Sequence, residues 1–193
     1  DVCIRINEKK YFVSIKSGQG NSVHQETIDE FINFISKLNE FTIKIENNFR
    51  FFIWGDGSID GKGEINERIS SSRIKRDHPE LINSLNIFFD KNKKIFFERF
   101  VFSGTAGSIS ADYIYYGNQF TGVYAGKEKI MKFLCDSKNI SKRSSVSLGP
   151  LSFQAWNRNL NGGDKSENKR GVIQIKWPNL GEHISEINNY GWN

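Results

Sequence analysis

The N-terminal stretch DVCIRINEKKYFVSIK, followed by SGQGNSVHQE, carries residue types that could hold a metal ion beside a phosphate. Asp1 opens the stretch, Lys16 ends its first part, and Glu26 lies a few residues further on. Carboxylate oxygens are ligands that Mg²⁺ prefers, and a nearby ammonium group stabilises charge that builds up on a phosphate. The two acids and the lysine could therefore hold a divalent cation beside a scissile phosphate, provided that the elements around them converge.

The first of these elements is a β-hairpin. Apolar residues alternate on both sides of the polar run 7–10, which is the pattern of two half-buried strands joined by a turn. With a four-residue turn, Ile6 pairs with Tyr11. Asp1 then lies opposite Lys16, and directly opposed residues have Cβ atoms roughly 4.5–5.5 Å apart. The pattern also predicts that Val2 and Ile4 share one apolar face with the alternate residues of the second strand.

The second element is a helix. Ser22 and Gln25 have the spacing of a capping box, which predicts that a helix begins at Val23. Glu26 would then lie in the first turn, at the positive end of the helix dipole. Residues 1–38 therefore form the candidate catalytic unit, made of the hairpin and this helix.

These residues resemble the PD-(D/E)XK nuclease superfamily, and within it the type II restriction endonucleases. The resemblance is carried by Asp1, by Ser14-Ile15-Lys16 and by the string SGQGNSVHQE. In that family an aspartate opens one strand and an acid-x-lysine closes the next. Here Ser14 stands at the position of the acid, and Glu26 stands where some relatives carry a substitute carboxylate on the following helix.

The resemblance implies a mixed α/β fold of the α+β kind, with a mixed central β-sheet flanked by helices. It implies an endodeoxyribonuclease that hydrolyses phosphodiester bonds of double-stranded DNA with Mg²⁺ as cofactor. The metal would be bound by Asp1, Glu26 and the backbone carbonyl of Ile15. Lys16 would orient the attacking water, and Ser14 could bind a metal-bound water. His24 and Gln25 are expected to contact the metal ligands and not the metal itself.

Composition and charge are compatible with this activity. The chain of 193 residues is 37% hydrophobic, which suits one domain, here 1–193. Its net charge of +5 arises entirely from residues 127–193, because residues 1–126 carry equal numbers of basic and acidic side chains. A basic segment favours a polyanionic partner, although a solvated lysine-rich surface would give the same composition.

Residues 143–178 are the candidate DNA-recognition segment. They read as strands separated by a polar, glycine-containing loop. Arg pairs with guanine and Asn or Gln with adenine, because each can form two hydrogen bonds in the major groove. The residues expected to contact DNA are Gln154, Asn157, Arg158, Asn159, Arg170, Gln174 and Lys176. Some of them could instead be the exposed face of strands whose other face is core.

The rest of the chain is expected to build the scaffold. Residues 40–45 and 49–57 read as strands ending in a glycine turn, and residues 64–102 read as mostly helical. A further strand is expected at 110–118 and an amphipathic helix at 126–137. Asp56 in the turn WGDG is more readily a structural residue than another metal ligand. The aromatic residues of the helical region are expected to be core.

Simpler features of the sequence predict the cellular compartment and the partners of the protein. No run of eighteen apolar residues is present and no signal peptide is apparent, so a membrane partner is not expected. Two cysteines, Cys3 and Cys135, form no zinc pattern, and a reducing cytoplasm, in a prokaryotic cell by the resemblance, is expected. The chain begins at Asp1 rather than Met, which suggests upstream sequence. Two-fold DNA sites commonly imply a homodimer.

Two alternatives remain open from the sequence. Ser14 in place of an acid would suit a nuclease-like domain that binds DNA without cutting it. A repair or junction nuclease would keep the chemistry but not the sequence specificity.

Overall fold

The structure, a computed structural model, describes residues 1–18, 22–104, 109–139 and 146–189. The strands are β1 Val2–Ile6, β2 Lys9–Lys16, β3 Ser22–Thr27, β4 Tyr113–Gly117, β5 Gly122–Gly126, β6 Val146–Leu148, β7 Leu151–Ala155 and β8 Val172–Lys176. The α-helices are α1 Ile28–Ile35, α2 Ile43–Trp54, α3 Ser71–Asp77, α4 Pro79–Lys91, α5 Lys93–Phe97, α6 Lys127–Asp136, α7 Asp164–Glu167 and α8 Leu180–Asn189. A short 3₁₀ helix, Ile65–Glu67, precedes α3, and a π-helical segment, Glu98–Ser103, follows α5.

The predicted mixed α/β class is confirmed, and the strands divide into two four-stranded sheets. The first sheet has the order β1-β2-β4-β5, with β2 and β4 parallel and the other pairs antiparallel. The second sheet has the order β3-β8-β7-β6 and is antiparallel throughout. The hairpin strand β2 thus belongs to the first sheet, and the next strand along the chain, β3, belongs to the second. Within the described ranges, no helix is both long enough and apolar enough to cross a membrane.

The β1–β2 hairpin forms, but its predicted register is wrong by two residues. Asn7 and Glu8, with φ of 47° and 67°, make a two-residue turn instead of the predicted four-residue one. Ile6 therefore pairs with Lys9 and Val2 with Val13. A shift of two residues leaves every side chain on its predicted face, because side chains alternate with a period of two. The apolar side chains of both strands do share one face.

That apolar face is the outer surface of the first sheet. Val2, Ile4 and Ile6 are between 43% and 55% exposed, and Tyr124 of β5 is 61% exposed. Together with tyrosines of β2 and β4 they line an open groove of about 610 Å³. The opposite face of β2 carries Ser14 and Lys16. The side chains relevant to the candidate site thus point away from the groove.

The predicted helix from Val23 is wrong, because residues 22–27 are strand β3. They pair with β8, from Ser22 opposite Lys176 to Thr27 opposite Val172. The helix begins only at Ile28, where Thr27 and Glu30 form the capping box that was expected at Ser22 and Gln25. Glu26 is consequently on a strand and not in the first turn of a helix.

Residues 40–57 are also different from the prediction. The expected strands are replaced by α2, which begins after Thr42; the Thr42 side chain accepts a hydrogen bond from the Ile45 amide. Residues 64–102 are mostly helical, as predicted, and α4 has Pro79 in its first turn. The strand predicted at 110–118 is confirmed as β4. The helix predicted at 126–137 is confirmed as α6.

The core lies between the second sheet and the helices around it. Phenylalanines from α1, α2, α4, α5 and β7 pack ring against ring, with Phe89 and Phe96 only 4.6 Å apart between centroids. Phe31, Phe49 and Phe96 are fully buried. The aromatic residues of this region are therefore core, as expected. In the 143–178 segment, strands β6, β7 and β8 are present, and residues 143–145 lie outside the described ranges.

Candidate functional site

Asp1 is held against the end of β2 by two hydrogen bonds. Its Oδ1 accepts from the Ser14 hydroxyl and from the Ile15 amide, each at 3.0 Å. The Ser14 side chain is buried, whereas Asp1 is exposed. Both bonds go to Oδ1, and no described residue bonds to Oδ2. The carboxylate is thus fixed in position while one of its oxygens stays available to a ligand.

The Ile15 carbonyl belongs to the same edge of β2. In an extended strand the N–H and C=O of one residue point to the same side. Since the Ile15 amide reaches the Asp1 carboxylate, its carbonyl also points to that side, beyond the end of the β1–β2 pairing at Val2 and Val13. Asp1 and the Ile15 carbonyl therefore offer two oxygen atoms at one place.

Lys16 is the last residue of β2 and lies on the same face as Ser14. It is half-buried, and no partner of its ammonium group is seen among the described residues. Burial lowers the pKa of Lys16 below its ordinary value, because the ammonium group loses part of its hydration. An anion that came into contact with this ammonium would therefore be strongly favoured.

Glu26 does not have the predicted environment. Its side chain is fully buried, and Arg99 of the π-helical segment binds both carboxylate oxygens. A carboxylate that already has a bidentate guanidinium partner is neutralised and satisfied. The expected role of Glu26 as a metal ligand is therefore corrected to that of an internal ion-pair partner. Within the described ranges, no three His, Cys, Asp or Glu side chains form a cluster.

The two residues expected behind the metal site also have different surroundings. His24 is buried on the same face of β3 as Glu26, with Nε2 3.0 Å from Glu26 Oε1 but outside hydrogen-bond geometry. Its ring packs against Phe100, at 5.3 Å between centroids. Gln25 points to the opposite, exposed face and donates to the Ser22 hydroxyl at 3.2 Å. His24 thus supports the buried ion pair, and Gln25 belongs to the surface.

Three of the predicted DNA contacts lie in the interior. Arg158 is buried, donates to the Phe52 carbonyl and stacks over the Phe52 ring; burial lowers the pKa of Arg158 to about 10. Arg170 is paired with the buried Asp56, with Nη2 2.6 Å from Oδ2. Asn159 is buried and donates to Glu167 at 2.6 Å. These side chains are unavailable to DNA bases in this conformation, and the prediction for Arg158, Asn159 and Arg170 is corrected accordingly.

These interior contacts give Asp56 a clear role. Its Oδ1 accepts from the amide and hydroxyl of Ser58, which closes the WGDG turn, while its Oδ2 binds Arg170. Arg170 in turn donates to the Arg158 carbonyl at 2.8 Å. Asp56 is therefore a structural residue, as expected, that joins the turn after α2 to the loop before β8. Asn157 closes part of the same loop by accepting from the Asn159 amide at 2.7 Å.

Three other predicted DNA contacts, Gln154, Gln174 and Lys176, lie on the outer face of the second sheet. Gln154 and Gln174 are half-buried neighbours on β7 and β8, and Gln154 donates to Gln174 at 3.1 Å. Gln174 lies opposite Gln25 of β3 and donates to the Ser22 hydroxyl at 3.4 Å. Lys176 lies opposite Ser22 in the same sheet. We call the row formed by Gln25, Gln174 and Gln154 across three strands the glutamine row.

The glutamine row is close to Lys16 along the chain. Ser22 follows Lys16 by six residues, and a fully extended chain rises at most about 3.3–3.6 Å per residue. The Cα atoms of Lys16 and Ser22 are therefore less than about 22 Å apart. The end of β2 and the start of β3 therefore lie within the length of a short DNA segment of each other.

Sequence reasoning missed three residues of this region. Arg99 lies in an aromatic run that was assigned to the core, although an arginine between phenylalanines is a signal for a buried acidic partner. Ser22 was assigned to a helix cap instead of the glutamine row. Tyr116, the neighbour of Lys16 on β4, was assigned only to a strand. A search of protein-family models and of curated proteins finds no match to the chain.

Proposed function

We propose that this protein is a Mg²⁺-dependent endonuclease that cuts double-stranded DNA at a specific sequence, as type II restriction enzymes do. The observation that carries the proposal is the arrangement at the end of β2. The Asp1 carboxylate is fixed by Ser14 and Ile15, the two residues that precede Lys16 on β2, and the half-buried Lys16 has no described acidic partner. A fixed carboxylate and a partly dehydrated ammonium on neighbouring positions of one strand end suit a cation and a phosphate together.

The residues present fit Mg²⁺, but with fewer protein ligands than the sequence suggested. Asp1 Oδ2 and the Ile15 carbonyl would hold the ion, and Glu26 would not contribute. Mg²⁺ usually keeps several waters and is often bound by one or two carboxylates plus substrate phosphate oxygens. When bound, the ion would polarise the phosphate and lower the pKa of a coordinated water.

The chain's own residues supply the remaining chemistry. Lys16 would donate hydrogen bonds to the attacking water and to a non-bridging phosphate oxygen, which stabilises the charge that develops in the transition state. Ser14 acts through Asp1, because its hydroxyl fixes the carboxylate oxygen that does not face the ion. The low hydration of Lys16 makes these contacts stronger than they would be in open solvent.

The glutamine row supports recognition of base edges. Gln side chains form paired hydrogen bonds with adenine in the major groove, and an exposed sheet face can lie along a groove. Gln154 and Gln174 keep the role that the sequence suggested, Gln25 joins them, and Lys176 beside them would contact phosphate. A homodimer would match a two-fold site. The proposed location is the cytoplasm of a prokaryotic cell.

A second function has one observation in its favour. With Glu26 neutralised by Arg99, Asp1 is the one carboxylate that the described residues are seen to bring to the end of β2. A protein with such a site could bind DNA without cutting it. The two functions differ in whether supercoiled plasmid is converted to nicked or linear DNA in Mg²⁺ and not in EDTA.

The test of the proposal is Lys16→Ala, with Lys10→Ala as the matched control. Lys10 lies on the same strand, exposed, at the far end of the hairpin. Lys16→Ala should reduce plasmid cleavage in Mg²⁺ by at least about a hundredfold, while gel-shift affinity for DNA changes little. Lys10→Ala should cleave like the wild type. A Lys16→Ala protein with wild-type cleavage would refute the assignment.

A further inference from the structure

Tyr116 lies beside Lys16 in the first sheet and reaches past it to the following residues. The two residues are register partners on the parallel strands β2 and β4. The Tyr116 hydroxyl donates to the carbonyl of Gly18 at 3.0 Å. Gly18 has φ of +76°, a left-handed conformation that glycine adopts readily. Tyr116 thus binds the chain at the point where it turns away from β2.

The ring of Tyr116 is itself held in place. Gly181, near the start of α8, lies so close to it that a Cβ on Gly181 would be 2.7 Å from the Tyr116 Cδ1 atom. The space beside the ring is therefore filled by helix backbone, and the ring has little freedom to move. Because the ring is fixed between β4 and α8, its hydroxyl is a rigid anchor for Gly18.

The anchor is close to Lys16 along the chain, because Gly18 follows Lys16 by two residues. Glycine has wide conformational freedom, so without an anchor the chain at Gly18 could leave β2 in several directions. The hydrogen bond from Tyr116 therefore restrains the end of β2 directly after Lys16.

We infer that Tyr116 is a positioning residue for the catalytic end of β2, and this rests on the proposed nuclease function. Its hydroxyl holds Gly18, two residues after Lys16, so that the Lys16 ammonium keeps the position in which it would meet a phosphate. Loss of the hydroxyl would disturb cleavage of the correct sequence more than it disturbs the fold.

The adjacent residue, Tyr115, is a matched control. Its side chain lies on the opposite face of β4, and its hydroxyl also donates to a backbone carbonyl, that of Asn118, at 2.5 Å. This bond is local and closes the β4–β5 connection, and unlike the bond of Tyr116 it does not reach the segment that contains Lys16. Tyr115→Phe and Tyr116→Phe therefore remove the same chemical group and the same kind of hydrogen bond.

The experiment compares the two variants with the wild type on plasmid DNA in Mg²⁺, at the site found by sequencing the cut ends. Single-turnover cleavage by Tyr116→Phe should be slower by at least about tenfold, because small misplacements of reacting groups cost large factors in rate. Its DNA affinity and melting temperature should match those of Tyr115→Phe, which should cleave within about twofold of the wild type. Equal cleavage by both variants would overturn the inference, as would a rate loss matched by an equal loss of affinity.

A second readout does not depend on cleavage. Amide hydrogen exchange of a peptide spanning residues 13–18 should be about fivefold faster in Tyr116→Phe than in the wild type or Tyr115→Phe, because the end of β2 opens more often once Gly18 is released. Unchanged exchange in Tyr116→Phe would show that the hydroxyl does not hold the end of β2 and would overturn the inference by itself. A wild-type protein that cuts no DNA, with faster exchange in Tyr116→Phe, would refute the proposed function and leave Tyr116 as a structural anchor only.

Discussion

The buried pair of Glu26 and Arg99 gives a quantitative prediction that separates an internal ion pair from a metal ligand. The Glu26 side chain is fully buried and that of Arg99 is 10% exposed, so the pair is almost completely removed from water. The Arg99 guanidinium also lies 4.1 Å from the centroid of the Phe34 ring. The perturbation is Glu26→Gln, which keeps the shape of the side chain and removes its charge.

The expected cost follows from this burial. Removing one partner of a buried ion pair typically costs about 3–5 kcal/mol, because the other charge stays buried without compensation. In Glu26→Gln the amide oxygen can still accept one hydrogen bond from Arg99, so we expect the lower end, about 3 kcal/mol. Arg99→Met leaves the carboxylate buried without its cation and should cost the upper end, about 5 kcal/mol.

The assay is urea unfolding with and without MgCl₂, with Glu46→Gln as the matched control. Glu46 pairs with Arg50 one helical turn away, and both side chains are only partly buried. Loss of this pair in Glu46→Gln should lower the free energy of unfolding by less than about 1 kcal/mol. A ligand that binds only the folded state stabilises it in proportion to occupancy. If Glu26 is an internal partner, Mg²⁺ should stabilise the wild type and Glu26→Gln equally.

The opposite result would refute this reasoning. If Glu26→Gln unfolds at the same urea concentration as the wild type but loses the stabilisation by Mg²⁺, Glu26 is a metal ligand and Arg99 only its resting partner. The set of Asp1, Ile15 and Glu26 suggested by the sequence would then be restored.

Two further predictions concern stability. Asp56→Asn breaks the buried pair with Arg170 and should cost about 3 kcal/mol in urea unfolding, whereas the exposed Asp60→Asn in the same loop should have little effect; equal costs would contradict the role of the pair. The Nδ1 atom of His183 accepts a hydrogen bond from the Trp177 indole at 2.8 Å, and burial lowers the pKa of His183. The contribution of neutral His183 to stability should therefore be complete above the pKa that His183 has in the unfolded chain, about 6.5. This contribution should be lost as the pH falls through the lower pKa of His183 in the folded protein. His183→Gln, which keeps an acceptor that does not titrate, should flatten this slope in unfolding measured between about pH 7.5 and pH 5; an unchanged slope would contradict it.

The sequence predicted the hairpin faces because they depend only on local alternation. Side chains of Val2 and Ile4 and of the alternate residues of β2 share a face in any register that keeps the period of two. The register itself depends on the turn. Asn7 and Glu8 adopt left-handed conformations, and the turn contains no glycine or proline from which a two-residue turn could have been predicted. The position of Asp1 near the end of β2 survives this shift, since Asp1 bonds to Ser14 and Ile15 instead of facing Lys16.

The role of Glu26 was not predictable from its neighbours. Ser22 and Gln25 have the spacing of a helix cap, but pairing with β8, about 150 residues later, decides that this segment is a strand. The same long-range effect places Arg170 on Asp56, 114 residues away. Local sequence patterns indicate which residue types are present at a site. The pairing of charged side chains inside the molecule depends instead on contacts between segments that are distant in the sequence.

The helix α2 shows the limit of local propensity. Its sequence IKIENNFRFFIW is rich in residues that favour strands, yet Phe49, Phe52 and Ile53 are fully buried on one side of a helix that Thr42 caps. Packing against α4 and β7 stabilises the helical arrangement of these side chains. Tertiary contacts therefore override the preference of the single residues for β-strands.

The most direct measurement of the central claim is digestion of supercoiled plasmid by the purified protein in Mg²⁺, followed by sequencing of the fragment ends. The account predicts that all ends derive from one recurring short sequence, and that EDTA or Lys16→Ala abolishes the cutting. DNA that stays intact in Mg²⁺, or cutting that persists in Lys16→Ala, would contradict it.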